Sequence, residues 1–125
     1  MENKRVSVLL VEDNKLVSKM SVIVLEQLNC KVDAVATGSS ALEYANKSNY
    51  DIIFMDIGLP DISGFAVING IRTNSELNYS VPIIALTAHS DKAYIEQCYR
   101  VGATEFLIKP LNNEIGQAVI QRYVS

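Results

Sequence analysis

The chain has 125 residues, 49% hydrophobic and 20% charged, which suffices for one domain with a core and excludes a disordered chain. Its formal net charge is −3, from 11 basic and 14 acidic residues, so no basic stripe points to direct nucleic-acid binding. No apolar run approaches the roughly 20 residues of a membrane span, and the start at Met1 lacks a signal-peptide cleavage pattern.

In chain order, residues 6–11 form a nearly continuous apolar run and predict the first strand. Residues 14–28 predict a helix with Val17, Met20, Val24 and Leu28 in one apolar stripe. Residues 31–35 alternate in character and predict an edge strand. After Gly38, residues 39–47 predict a helix with Leu42 and Ala45 on one side. Apolar runs at 52–55, 83–86 and 106–108 predict three more strands, interleaved with helices over 64–72, 90–101 and 111–123, the last weakened by Gly116. Residues 73–81 are the longest polar connection.

Strand and helix therefore alternate five times. Continuous apolar runs suit strands covered on both faces, and right-handed crossovers place helices on both sides of a parallel sheet. The expected fold is an α/β three-layer sandwich around five parallel strands. Cys30 and Cys98 belong to no CxxC pair and read as reduced cytosolic thiols. The expected location is cytoplasmic, with no membrane segment.

The strong strands end on residues that core packing would not select: Glu12 and Asp13, Asp56, Thr87, and Lys109. Parallel strands all end at one sheet edge, so these side chains converge on one crevice. Taken singly, each has an ordinary reading. Asp13 or Asn14 could cap a helix, Asp56 and Thr87 could serve turns, and Lys109 could be a solvated charge. Together they are a different matter. Carboxylates at about 4 Å repel by roughly 4 kcal/mol per pair at an effective dielectric near 20, so their pKa values rise or a cation sits among them. With oxygen ligands and no His or Cys close by in sequence, that cation is Mg²⁺, for which Mn²⁺ could substitute. Lys109 and Thr87 add a positive charge and a donor, a set suited to phosphoryl transfer with a carboxylate as nucleophile.

The matching pieces Leu9-Leu10-Val11-Glu12-Asp13-Asn14, residues 55–64 from Met55-Asp56 to Ser63-Gly64, Ala85-Leu86-Thr87-Ala88, Gly102-Ala103 and Phe106-Leu107-Ile108-Lys109-Pro110 carry a resemblance. In order and spacing the sequence resembles the response-regulator receiver domains, the CheY-like family of bacterial two-component and phosphorelay systems. The resemblance implies a (βα)5 flavodoxin-like domain over residues 1–125, strand order 2-1-3-4-5, with no effector domain in the chain. It implies that Asp56 is the phosphoacceptor. Asp13, Asp56 and the backbone carbonyl of Gly58 would hold Mg²⁺, with Glu12 acting through water. Lys109, Thr87 and the Ala88 N–H would bind the phosphoryl oxygens. Thr87 and Phe106 would form the switch, and Lys109-Pro110 would be cis. Phe106 lacks the hydroxyl that many relatives carry there.

Gly58 and His89 fall where the family tunes phosphoryl lifetime, and His89 reads as a rim residue. A histidine kinase or histidine-phosphotransfer protein would be the donor, docking near the first helix and the loop after the fifth strand. A downstream protein would read the face made by the fourth helix, fifth strand and fifth helix, where Tyr94 and Tyr99 could be contacts or could pack on the sheet. The chain would signal rather than act as an enzyme, alone or as the receiver of a hybrid histidine kinase. Two other classes compete: a Mg²⁺-dependent aspartyl-phosphate phosphatase, which in haloacid-dehalogenase-like enzymes has a second Asp where Gly58 stands, and a partner-binding pseudo-receiver, which would lack part of the acidic set or the lysine.

Overall fold

The computed structural model describes residues 4–88 and 91–124; His89 and the first three residues lie outside the described residues. Among the described residues, five strands alternate with five helices: β1 (Val6–Val11), α1 (Lys15–Gln27), β2 (Cys30–Val35), α2 (Gly38–Ala45), β3 (Ile52–Asp56), α3 (Gly64–Asn74), β4 (Ile83–Thr87), α4 (Lys92–Arg100), β5 (Glu105–Ile108) and α5 (Asn113–Tyr123). The strands pair in parallel in the order β2-β1-β3-β4-β5.

Successive strand residues face opposite sides of a sheet, so the apolar runs supply two cores. Leu9, Val11, Ile53, Met55, Ile83 and Ala85 meet α2, α3 and α4 through Ala41, Val67, Ile68, Ile71 and Cys98. Val8, Leu10, Ile52, Phe54, Ile84 and Leu86 meet α1 and α5 through Leu25, Val119 and Ile120. Each fully buried Val, Leu, Ile or Phe side chain contributes roughly 1.5–3 kcal/mol relative to exposure. This explains why β3 and β4, buried at every position, have no polar residue before their last.

Each helix opens on a capping side chain: Asn14, Thr37, Ser63, Asp91 and Asn112 accept hydrogen bonds from first-turn N–H groups. A cap of this type contributes about 1 kcal/mol. The polar connection after α3 is tied down by Asn78, which is 1% exposed. Its amide donates to the carbonyls of Ala45 and Ser48 at 2.6 and 2.7 Å and accepts from the Tyr50 N–H at 2.9 Å.

Two expectations change. One residue departs from the stripe read on α1: Val24 and Leu28 pack against the core and Val17 is half-buried, but Met20 stays 57% exposed, and the fully buried positions are Ser21 and Leu25. The helix carries apolar residues nearly all round, so periodicity alone could not select the face that meets the sheet. β5 is not covered like the inner strands. It is an edge strand, and Ile108 is 42% exposed. The edge position of β2 agrees with its mixed sequence.

Candidate functional site

Strand order reverses between β1 and β3, and the carboxyl ends of these neighbours open a cleft of about 300 Å³. Asp13, Asp56, Gly58, Thr87, Tyr94 and Lys109 are among its lining residues. Such a reversal leaves a crevice because the flanking connections leave toward opposite faces.

Glu12 follows β1, its N–H donating to the Val35 carbonyl at 3.0 Å, and its side chain is almost fully buried. Asn14 supplies the cap of α1, accepting from the Val17 N–H at 2.9 Å. Of the two candidate caps the structure uses Asn14, and the exposed Asp13 joins the carboxylate cluster. Asp56 is the last residue of β3 and is 4% exposed; its Oδ1 accepts from the Gly58 N–H at 3.1 Å. Carboxylate oxygens of Glu12, Asp13 and Asp56 lie within 4.8 Å of one another.

Lys109 reaches in from the end of β5. Its Nζ stands 3.0 Å from Asp56 Oδ1 and 3.0 Å from Glu12 Oε1. The Glu12 contact is an ion pair without the alignment of a hydrogen bond, so Oε1 is buried with a charge partner but no directed donor. Burial pushes the Glu12 carboxyl above the usual range, against the pull of Lys109. Burial lowers the Lys109 ammonium, but its contacts with Glu12 and Asp56 outweigh this and hold it up. Thr87 ends β4, 2% exposed, and its carbonyl accepts from the Lys109 N–H at 2.9 Å, which ties the two strand ends together. The Lys109-Pro110 peptide bond is cis. Phe106 is half-buried and meets Tyr99 edge-on, with ring centroids 6.2 Å apart.

Three carboxylates and one ammonium leave a formal −2 in the cluster when all are ionised. A divalent cation held by oxygen ligands matches both that charge and the donor chemistry. The buried, undirected oxygen of Glu12 and its raised pKa are what such a cluster shows with only one ammonium to neutralise it.

Two residues near the cleft carry roles that their sequence positions do not disclose. Asp61, in the connection from β3 to α3, accepts from the Gly38 and Ser39 N–H groups at 2.8 and 3.0 Å. These donors at the start of α2 hold its carboxyl down at about 2. The clasp fixes the connection that contains Gly58. Tyr94 is half-buried, its ring edge-on to Phe65 at 5.2 Å and its side chain on the cleft wall. Tyr99, in contrast, is 46% exposed. No local sequence signal marks Asp61 or separates the two tyrosines.

A family model described as "Response regulator receiver domain" matches residues 8–121. The chain belongs to the response regulator receiver family. As a receiver it is a phosphorylation-dependent signalling switch. It is 34% identical over 122 residues to the hybrid signal transduction histidine kinase L of Dictyostelium discoideum, covering 93% of this chain and 7% of that protein. It is 33% identical over 106 residues to the polar-differentiation response regulator DivK of Brucella ovis, covering 85% of each. Among solved structures, the receiver domain of a sensor histidine kinase from Pseudomonas aeruginosa, described with a magnesium ion in its active-site cleft, superposes with a TM-score of 0.87 at 34% identity. That match covers 95% of this chain and 97% of the other. The receiver spans between 7% and 19% of the length of four relatives that are kinases or transcription factors. The relatives come from bacteria, an amoeba, fungi and a plant. Among the described residues no helix is long and apolar enough to cross a membrane.

Proposed function

We propose that the receiver accepts a phosphoryl group on Asp56 from a phosphorylated histidine and holds it as a signal. The observation that carries this reading is the buried Asp56 carboxylate, 3.0 Å from Lys109 Nζ and beside Glu12 and Asp13 at one sheet edge. An Asp56 oxygen attacks phosphorus, the P–N bond to the donor histidine breaks, and its electron pair stays on the imidazole nitrogen, which takes up a proton. Asp13, Asp56 and the Gly58 carbonyl would hold Mg²⁺, with Glu12 acting through water, and the ion would neutralise the phosphoryl oxygens. The Lys109 ammonium offsets part of the remaining negative charge. The Thr87 hydroxyl and the Ala88 N–H orient the oxygens. Turnover is confined to the chain's own mark, so this is a switch and not an enzyme acting on other substrates. We place it in the cytoplasm, where a kinase can renew the donor.

Incubation with Mg²⁺ and acetyl phosphate should add the mass of one phosphoryl group to the intact chain. No gain would sink the reading, and steady turnover of unrelated phosphoesters would favour a phosphatase.

The exposed apolar side chains of α1 suit the donor protein. Leu16, Met20 and Ile23 are 67, 57 and 55% exposed, and Met20 and Ile23 flank a groove of about 270 Å³ that ends at Pro110 and Leu111, next to Lys109. A helical face docked there brings its histidine to the cleft. Met20→Glu should slow transfer from a phosphorylated histidine protein by roughly tenfold, the loss of one buried anchor, while labelling by acetyl phosphate stays unchanged. Rapid-quench transfer assays with both donors check this. On the output side, the α4–β5–α5 face presents Tyr99 and the Glu105 carboxylate, which Arg122 and the Tyr123 hydroxyl hold at 2.7 and 2.6 Å.

A further inference from the structure

We propose that Asp61 is a positioning residue for the divalent cation: by clasping the β3–α3 connection to the start of α2, it sets the Mg²⁺ affinity of the site. The proposal rests on the Gly58 carbonyl being a ligand of that ion.

The connection from β3 to α3 runs over residues 57–63 and is held at both ends. The Ile57 N–H donates to the Leu86 carbonyl at 3.1 Å, and the Gly64 N–H returns to the Ile57 carbonyl at 3.0 Å. Between them lies Gly58, exposed, with no side chain to anchor it; its N–H reaches Asp56 Oδ1 at 3.1 Å. Glycine has the widest choice of backbone conformation. The direction of its carbonyl therefore depends on what fixes the residues that follow.

Asp61 fixes them. Thr37 caps α2 by accepting from the Ser40 N–H at 3.1 Å, which leaves the Gly38 and Ser39 N–H groups of the first turn to other acceptors. Asp61 Oδ1 accepts the first at 2.8 Å and Oδ2 the second at 3.0 Å. Bonds to an ionised acceptor are roughly twice as strong as neutral ones, and the positive end of a helix favours a carboxylate. These donors hold the carboxyl down at about 2, so it stays ionised near neutral pH. The approach is also close. A methyl group on Gly38 would stand 2.8 Å from Val67 Cγ2, 3.1 Å from Ile62 Cβ and 3.4 Å from Asp61 Oδ1. A connection released from α2 spends part of its time with the Gly58 carbonyl turned away, and the apparent affinity falls with the competent fraction.

The test is the dissociation constant of Mg²⁺ alone, from an NMR titration at a temperature where thermal melts show every variant folded. Asp61→Ala should weaken binding roughly tenfold, as the competent fraction drops. Asp61→Asn loses the same charge but keeps one acceptor oxygen, so it should weaken binding only about threefold. A clasp that served stability alone would lower the melting temperatures and leave the constant where it was. Wild-type affinity in Asp61→Ala would therefore overturn the proposal, as would equal losses in the two variants, which the missing charge by itself would produce. A wild-type chain that binds no Mg²⁺ would remove the metal reading, and this proposal with it.

Discussion

Asp56→Asn should abolish the phosphoryl mass gain produced by Mg²⁺ and acetyl phosphate, while the chain remains folded. Asparagine keeps the shape of the side chain, so the buried end of β3 is not reshaped. Its amide, however, offers no anionic oxygen to attack phosphorus. The substitution also removes one of two carboxylates facing Lys109, leaving the ammonium to Glu12 at 3.0 Å. Two effects on stability oppose each other. Repulsion among the carboxylates falls by roughly 4 kcal/mol per pair at about 4 Å and an effective dielectric near 20, and an ion pair of similar reach is lost. The melting temperature should consequently move little, and the lost labelling reports chemistry. Intact-mass spectrometry beside a thermal melt decides the matter. Equal labelling of the variant would place the acceptor elsewhere.

Gly64→Ala should destabilise the receiver by about 3 kcal/mol or more, beyond the usual range for overpacking a core. Gly64 opens α3 directly against the end of β3. A methyl group there would stand 2.5 Å from the Ile57 Cα, 2.6 Å from the Asp56 carbonyl oxygen and 3.0 Å from the Ile57 carbonyl oxygen. All three are backbone atoms, so no side chain can rotate away. The Gly64 N–H also donates to the Ile57 carbonyl at 3.0 Å, and any shift of α3 strains that bond. Because the displaced backbone includes the Asp56 carbonyl, labelling by acetyl phosphate should fall with stability. Gly70→Ala is the control. Its new methyl would meet the end of the flexible Leu42 side chain at 3.1 Å, and alanine favours the helix by up to about 1 kcal/mol. A thermal melt should show a drop of roughly 10 °C for Gly64→Ala and little change for Gly70→Ala. Similar melts for the two variants would refute the close-approach argument.

Much of the fold is legible because parallel strands buried on both faces need unbroken apolar runs, and Ile52 to Met55 or Ile83 to Leu86 have no other economical use. The acidic cluster is legible for a related reason. Residues that end neighbouring parallel strands must share an edge whatever their separation in the chain, so Glu12, Asp13 and Asp56 were bound to meet. The face of α1 is legible only in part, through Val17, Val24 and Leu28, since a helix apolar nearly all round has no single best stripe; only docking on the sheet decides that Leu25 is buried and Met20 exposed.

By itself, the sequence determined that Asp56 lies among acids, a threonine and a lysine at one edge of a parallel sheet, because strand polarity and the placement of polar residues after apolar runs are properties of the chain. The tertiary structure alone decided how those groups are shared. Lys109 spans Glu12 and Asp56, Asn14 caps α1 so that Asp13 stays with the cluster, Asp61 clasps α2, and Tyr94 lines the cleft while Tyr99 faces solvent. Those choices depend on which atoms come within about 3 Å of each other. Local pattern carries no such distances; only the packing of helices on the sheet sets them.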